Sequence, residues 1–486
     1  FELSELRGVL ERLEAAGLSD QFPLDPAVAI DQLERAGILR KRSNKRAEFR
    51  NPLFRDAIVD TIPLAARRDL HRAACAFYSD DTEMPASERS ARLAYHAGQA
   101  GLDEVAVASY LALATAHHAR HRYLEAEAMY TRALAHAGTT SDRLNILRGR
   151  GVARQRNGRY RDAIDDLEQA RALARDCGDQ LGEIEILLDL ATILDWLASF
   201  RQSQALVDEA QGLARGGESK LLRARLAMGH ARARWRLGKR SEAQDELASA
   251  VACAEEAGDG AYETLVVCLL MLGDVLGHLG ESDAAEQLFD RVLVMARESG
   301  DRLHELAALN NRQTVWIARG DAAGAIADLR IHFEISRELG SVLMEFYGAY
   351  NLGELQYLID DLEAAWPHVQ RAADLAVRRP DVMARPVARL LQARLFAYQG
   401  RWPEAARLAA EISDTHHRAR QAGQADACLL PNEEVLLDAV RLAADDGPAH
   451  GWAEIEARSR VASVEQQTIE IIELHALSAL RRGFVA

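Results

Sequence analysis

Two stretches between Leu303 and Ala365 read as copies of one another. HELAALNNRQTVWIARGDAAGAIADL, beginning at His304, is answered about forty residues later by EFYGAYNLGELQYLIDDLEAAWPHV, beginning at Glu345. Asn311 and Asn351 fall at the same place in the two copies, as do Gly320 and Asp360, and Ala325 and Ala365. Such a recurrence marks a stack of helical hairpins, because no single hairpin can bury its own apolar face and each needs the next.

The period extends along most of the chain. Small residues mark the second helix of each hairpin at Ala126, Ala163, Ser203, Ala243, Ala285, Ala325, Ala365 and Ala405. Gly158, Gly238, Gly280, Gly320 or Gly400 precedes most of them, where a tight inter-helix turn needs positive φ or close backbone approach. CGD, AGD and SGD, at Cys177, Ala257 and Ser299, join successive hairpins. The expected fold is all-α: a right-handed superhelical, tetratricopeptide-like solenoid whose period is stretched beyond about 34 residues by longer helices.

Composition narrows the function classes. The chain has 486 residues, 48% of them hydrophobic and 27% charged, and a formal charge of −15, which disfavours an extended phosphate-binding surface. Lysine occurs only at Lys41, Lys45, Lys220 and Lys239, an arginine bias that fits a GC-rich bacterial coding sequence. Five scattered cysteines without a Cys-x-x-Cys pair point to a reduced compartment. No apolar run reaches eighteen residues and no leader opens the chain, so a cytoplasmic protein without membrane association is expected. Phe1 stands in place of a starting Met, with Leu3, Leu6, Leu10 and Leu13 already in helical spacing, so a longer parent is expected.

Residues 1–78 follow a different pattern. Leu6 to Ala16 reads as a short amphipathic helix, and Asp25 with Pro26 as the cap and first position of a second helix over Ala27 to Ala36, stopped by Gly37. Ile38 and Leu39, a polar tip at Arg42 to Asn44, and Glu48 to Arg50 then read as a hairpin, completing a small winged-helix module. Arg40, Lys41, Arg42, Lys45 and Arg46 make it the basic pole of an acidic chain. They are candidates for nucleic-acid or interdomain contact, and Asp31 and Glu34 on the would-be recognition helix favour the interdomain alternative.

The next phrase, FRNPLFRDAIVDTIPLAARRDLHRAACAFY, carries a family resemblance in Phe49, Pro52, Leu53, Arg55, Ala57, Arg67, Arg68, Leu70, His71 and Ala74. With RLAYHAGQAG at Arg92 and the central repeats, it resembles the C-terminal region of bacterial signal-transduction ATPases with numerous domains, most of all multidomain serine/threonine kinases fused to such an ATPase. The resemblance implies ATP and Mg in domains upstream, as a kinase, an ATPase or both. This chain has no G-x-x-x-x-G-K-[ST], no H-R-D and no D-F-G, so no cofactor and no catalytic residue is assigned to it.

The expected organisation is a winged-helix module and connecting helices at 1–78, a linker at 79–88, repeats at 89–422 and capping helices at 423–486. Pro380 and Pro386 delimit one late helix, Glu404 to Ala422 reads as a long one, and Pro431 and Pro448 open two more before a last helix from Val464 to Arg481. The repeat register turns Gln155, Asp195, Trp196, Arg232, Trp235, Asp274, His278, Asn310, Asn311, Thr314, Tyr350, Asn351, Glu354 and Tyr357 toward a concave groove lined by first helices. Amides there can hold an extended peptide backbone with one donor and one acceptor, and aromatic rings add contact area. His117, His121 and Glu125 have metal-compatible helical spacing, but no second cluster completes a site and none is assigned. Asp165, Asp166, Asp360 and Asp361 are expected to be solvated.

The expected function is a non-catalytic sensor and scaffold that holds a peptide or protein partner in the groove and regulates an upstream domain in cis. The alternative is a transcriptional regulator binding DNA through the winged helix, although nucleic acid is not the expected partner.

Overall fold

A computed structural model describes residues 2–18, 26–43, 46–197, 199–216, 218–378, 385–424, 427–445, 449–462 and 465–481. Two compact units emerge, one of residues 1–193 with 208–214, the other of residues 194–207 with 215–486. No described helix is long and apolar enough to cross a membrane.

The first unit opens with α1 (Leu3–Ala15), α2 (Pro26–Arg35) and the antiparallel pair β1 (Leu39–Ser43) and β2 (Arg46–Phe49), which sets Arg40 opposite Glu48 and Lys41 opposite Ala47. Helices α3 (Pro52–Thr61) and α4 (Leu64–Asp80) follow, and Gly8 of α1 lies so close to Phe77 of α4 that any side chain there would strike the ring. From α4 onward each helix packs on the next: α5 (Ala86–Ala100), α6 (Asp103–His118), α7 (Tyr123–Leu134), α8 (Thr140–Arg156) and α9 (Tyr160–Cys177). Helix α10 (Gln180–Trp196) and α11 (Phe200–Leu213) continue the chain.

The second unit contains the hairpins α12 (Lys220–Arg236) with α13 (Arg240–Ala257), α14 (Tyr262–His278) with α15 (Ser282–Ser299), α16 (Arg302–Ala318) with α17 (Ala322–Glu338), α18 (Val342–Leu358) with α19 (Leu362–Arg378), and α20 (Val387–Tyr398) with α21 (Trp402–Gln421). It closes with α22 (Pro431–Ala444), α23 (Ala449–Ala462) and α24 (Glu465–Arg481) around a core that includes Phe396, Ile412, Leu436, Trp452, Ile471 and Leu474.

The sequence markers have definite jobs. All eight small residues on the second helices are buried, seven of them at 0% exposure, because the first helix of the same hairpin crosses there. At the joints one glycine ends a helix and the aspartate after it starts the next. Gly178 and Gly300 take φ of 73°, Asp179 Oδ1 accepts from Gly182 N at 2.9 Å, and Asp301 Oδ1 accepts from His304 N at 3.2 Å. Within hairpins the turn glycines have φ between 70° and 85°, and Asp360 occupies the equivalent place at 63°.

Some expectations change. Helix α6 ends at His118, and His121 lies in a turn with φ of 56°, so His117 and His121 are not one helical turn apart and the metal spacing dissolves. Among the described residues no group of three or more metal-binding side chains forms. Asp166 is not solvated: it is 1% exposed and receives Arg150 and Arg154, both at 2.7 Å. At the expected linker, α4 and α5 pack directly against each other. Asp25, Asn44, Pro380 and Pro448 lie outside the described residues.

Candidate functional site: the first-helix face of the second unit

Most successive first helices meet through polar side chains; α14 and α16 meet through an aliphatic core. Asp195, at the end of α10, accepts from Arg236 of α12 through both oxygens, at 3.3 and 3.1 Å, with Arg232 Nε 3.7 Å away. Burial pulls the Arg232 guanidinium down, against the opposing pull of Asp195. Trp235 of α12 meets the His278 ring of α14 edge-on, with centroids 4.9 Å apart. His278 Nδ1 lies 2.9 Å from the Asp274 carbonyl oxygen, and burial raises the Asp274 carboxyl above its ordinary range.

Farther along, Asn351 Nδ2 of α18 donates to Asn310 Oδ1 of α16 at 2.7 Å. Glu354 then receives Arg394 of α20 at 3.3 Å and the Tyr350 hydroxyl at 3.1 Å. These contacts form a polar ladder interrupted between α14 and α16, which share an aliphatic core at Leu270, Leu306 and Leu309. Each contact joins residues about one repeat apart, at different heights along the first helices: Trp235 with His278, Asn310 with Asn351, and Glu354 with Arg394.

This geometry sorts the expected groove residues. Asn351 and Asn310 are engaged with each other, so the amide expected to hold a ligand holds the neighbouring helix. The Asn311 amide has no partner among the described residues and is partly exposed. Thr314 is exposed beside it and donates to the Asn311 carbonyl at 2.6 Å. Trp196 is 58% exposed. Tyr357 is a correction: it is 5% exposed, and its hydroxyl donates to Glu470 of α24 at 2.6 Å, because the last helix lies over it. Gln155 is likewise buried, at 9% exposure.

The basic residues of the N-terminal hairpin are matched by carboxylates. Arg40 Nε donates to Glu48 at 3.0 Å, Arg42 lies 2.7 Å from the same oxygen, Lys41 reaches Asp31 at 2.5 Å and Glu34 at 3.2 Å, and Arg46 donates to Glu2 at 2.7 Å. Lys45 lies outside the described residues. Four of the five cations are therefore spent on their own module, and one of them, Lys41, on two carboxylates of the helix that would enter a groove of DNA.

Sequence reasoning missed Arg394 and Glu470. Arg394 is 4% exposed and Glu470 3%, and they form a two-bond pair with both distances 2.6 Å. A charged residue at an apolar position in each of two helices was the available signal, but 76 residues separate them and nothing local joins the two.

Residues 104–176 match the model of the tetratricopeptide repeat. No curated protein sequence matches the chain. Solved structures with a similar course include a Rap protein complexed with competence and sporulation factor, at 14% identity over 77% of this chain and 99% of that one, with a TM-score of 0.48. A signal transduction ATPase with numerous domains from Pyrococcus horikoshii, bearing a tetratricopeptide repeat sensor, is 14% identical over 99% of this chain, which spans 64% of that protein, with a TM-score of 0.45. The apo form of the quorum sensor NprR from B. thuringiensis is 12% identical over 76% of this chain and 98% of that one, with a TM-score of 0.46.

Proposed function

We propose that this tetratricopeptide-like chain is the sensor and protein-interaction region of a larger bacterial, cytoplasmic signalling protein, a multidomain ATPase or serine/threonine kinase, and that it acts without catalysing a reaction itself. The first-helix face of the second unit receives an extended segment of a peptide or protein partner, and its occupancy regulates the catalytic domain joined in cis. ATP and Mg belong to that domain.

The observation that supports this reading most is the polarity of the face. A wall whose only task was packing would join its helices through aliphatic side chains, as the interior does at Leu306, Leu309 and Val315. Here all the junctions but that of α14 with α16 carry amides, ion pairs or rings, and Asn311 offers an amide NH2 and a carbonyl without a partner among the described residues. The N-terminal helices and hairpin fit a winged helix that serves as an intramolecular clamp. The DNA-binding alternative is weakened by the carboxylates on Arg40, Lys41, Arg42 and Arg46.

The test is selection of phage-displayed random peptides of about 12 residues, a length that crosses about four first helices at about 10 Å each and about 3.3 Å per extended residue. Asn311→Ala is expected to weaken the best selected peptide by about 1 to 2 kcal/mol, with thermal stability unchanged. Equal binding by parent and variant for every selected peptide would remove Asn311 from the site.

A further inference from the structure

Helix α24 is built in an unexpected sense. It buries a carboxylate, Glu470, and presents Ile469, Ile472 and Leu480 to solvent at 51%, 51% and 63% exposure. It seals the terminal core with Ile471 and Leu474, both at 0% exposure, but an aliphatic side chain gains by leaving water and a carboxylate loses, so sealing alone does not account for a buried Glu470.

What receives Glu470 is a built site on the first helices. Arg394 of α20 grips both carboxylate oxygens, its Nε and Nη2 each at 2.6 Å, and the Tyr357 hydroxyl of α18 adds a third bond at 2.6 Å. The Arg394 guanidinium also lies 4.9 Å from the Tyr357 ring centroid. One turn on, Glu473 accepts from the Tyr398 hydroxyl of α20 at 2.5 Å. A planar guanidinium with a phenol beside it is the fork that recognises a carboxylate in two-bond geometry. Burial works against the charge on Arg394, and Glu470, Tyr357 and Glu354 together more than offset it, so the guanidinium sits well above its ordinary range. Removing Glu470 would leave a buried cation in need of another carboxylate.

Arg394 also bonds Glu354, so this receptor is the last rung of the polar ladder described above. We propose that Arg394, Tyr357 and Tyr398 form a carboxylate-recognition site on the partner-binding face, and that α24 is its removable internal ligand, displaced by an acidic segment of a partner. This rests on the proposed partner-binding role of that face and adds its regulation. The hairpins α16 to α19 have cores of their own, at Leu309, Val315, Leu329 and Leu352, to which α24 contributes no residue. Besides the bonds of Glu470 and Glu473, Asn432 donates to Gln467, Ser459 meets Thr468, and His475 stacks on Trp452 at 4.6 Å, while Ile471 and Leu474 are buried in the terminal core and would be exposed on release.

The experiment uses the full chain and, as probe, a fluorescent synthetic peptide of residues 465–481. Glu470→Ala is expected to speed amide exchange of α24 at least about tenfold, the loss of a charged, multiply bonded group, while α16 to α19 exchange as in the parent. The labelled peptide should bind this variant at least about tenfold more tightly than the parent, whose site is filled, and a peptide carrying Ala at Glu470 should bind neither. Should Glu470→Ala fail to fold, Tyr357→Phe keeps the ring and removes one bond, and a smaller rise confined to α24 is expected. Exchange that rises together across α20 to α24 would make the helix an ordinary cap and overturn the proposal. So would an α24 as protected as in the parent, or a released α24 whose peptide fails to bind. Because the probe is the chain's own segment, failure here leaves the partner-binding reading intact, and failure of that reading leaves this result readable.

Discussion

Asp360 does the work of a glycine. Its φ of 63° places an exposed aspartate in the left-handed region at a hairpin turn where the neighbouring copy has Gly320 at 75°. Aspartate tolerates this conformation better than most residues but still pays about 1 kcal/mol or more for it. Asp360→Gly should therefore raise stability by about 0.5 kcal/mol after the extra entropy of an unfolded glycine is subtracted, and Asp360→Val should lower it by about 1 to 2 kcal/mol. Urea denaturation of the two variants beside the parent measures both signs. The turn at this position was legible because backbone sterics act within a few residues. The burial of Asp166 was not, since its partners Arg150 and Arg154 lie sixteen and twelve residues earlier on the facing helix. Those offsets recur in Arg312, Trp316 and the buried Asp328, which form the same cluster four hairpins on, so the rule becomes readable once the crossing of the two helices is known.

At the scale of the element, the hairpin is set by how closely its two helices approach. Gly273 of α14 faces Phe289 of α15, and a methyl group there would lie 2.7 Å from the ring, while Gly353 of α18 stands in the same relation to Val369 of α19. Gly277, one turn from Gly273, has ordinary space, with Ala285 Cβ 3.9 Å away. Gly273→Val should thus cost about 1 to 3 kcal/mol by forcing the helices apart. Gly277→Ala should be neutral or gain up to about 1 kcal/mol from helix propensity. Equal effects in thermal unfolding would refute this account of the packing. Helix positions were largely readable from period and caps: α21 runs Trp402–Gln421 against an expected Glu404 to Ala422, and α24 begins one residue from the expected Val464. The direction in which α24 turns its glutamate was not readable, because periodicity reports which residues share a face and not which face is buried.

For the molecule as a whole, the repeat fixed the architecture because each hairpin repeats one local solution, whereas the site depends on contacts between hairpins. Asn351 meets a residue 41 positions away and Tyr357 one 113 positions away. Such partners follow only from the stacking register, so the sequence proposed a face without saying which of its groups are engaged between helices. A formal charge of −15 and the paired cations of the N-terminal hairpin place protein, rather than nucleic acid, first among partners to be tested. The central claim is that a partner is held on first helices of the second unit. Amide hydrogen exchange of the full chain, with and without the tightest selected peptide, tests it most directly. Protection should appear in α12, α14, α16 and α18 and leave α13, α15, α17 and α19 as they were. Protection confined to those second helices, or tight binding that protects none of the first helices, would contradict it.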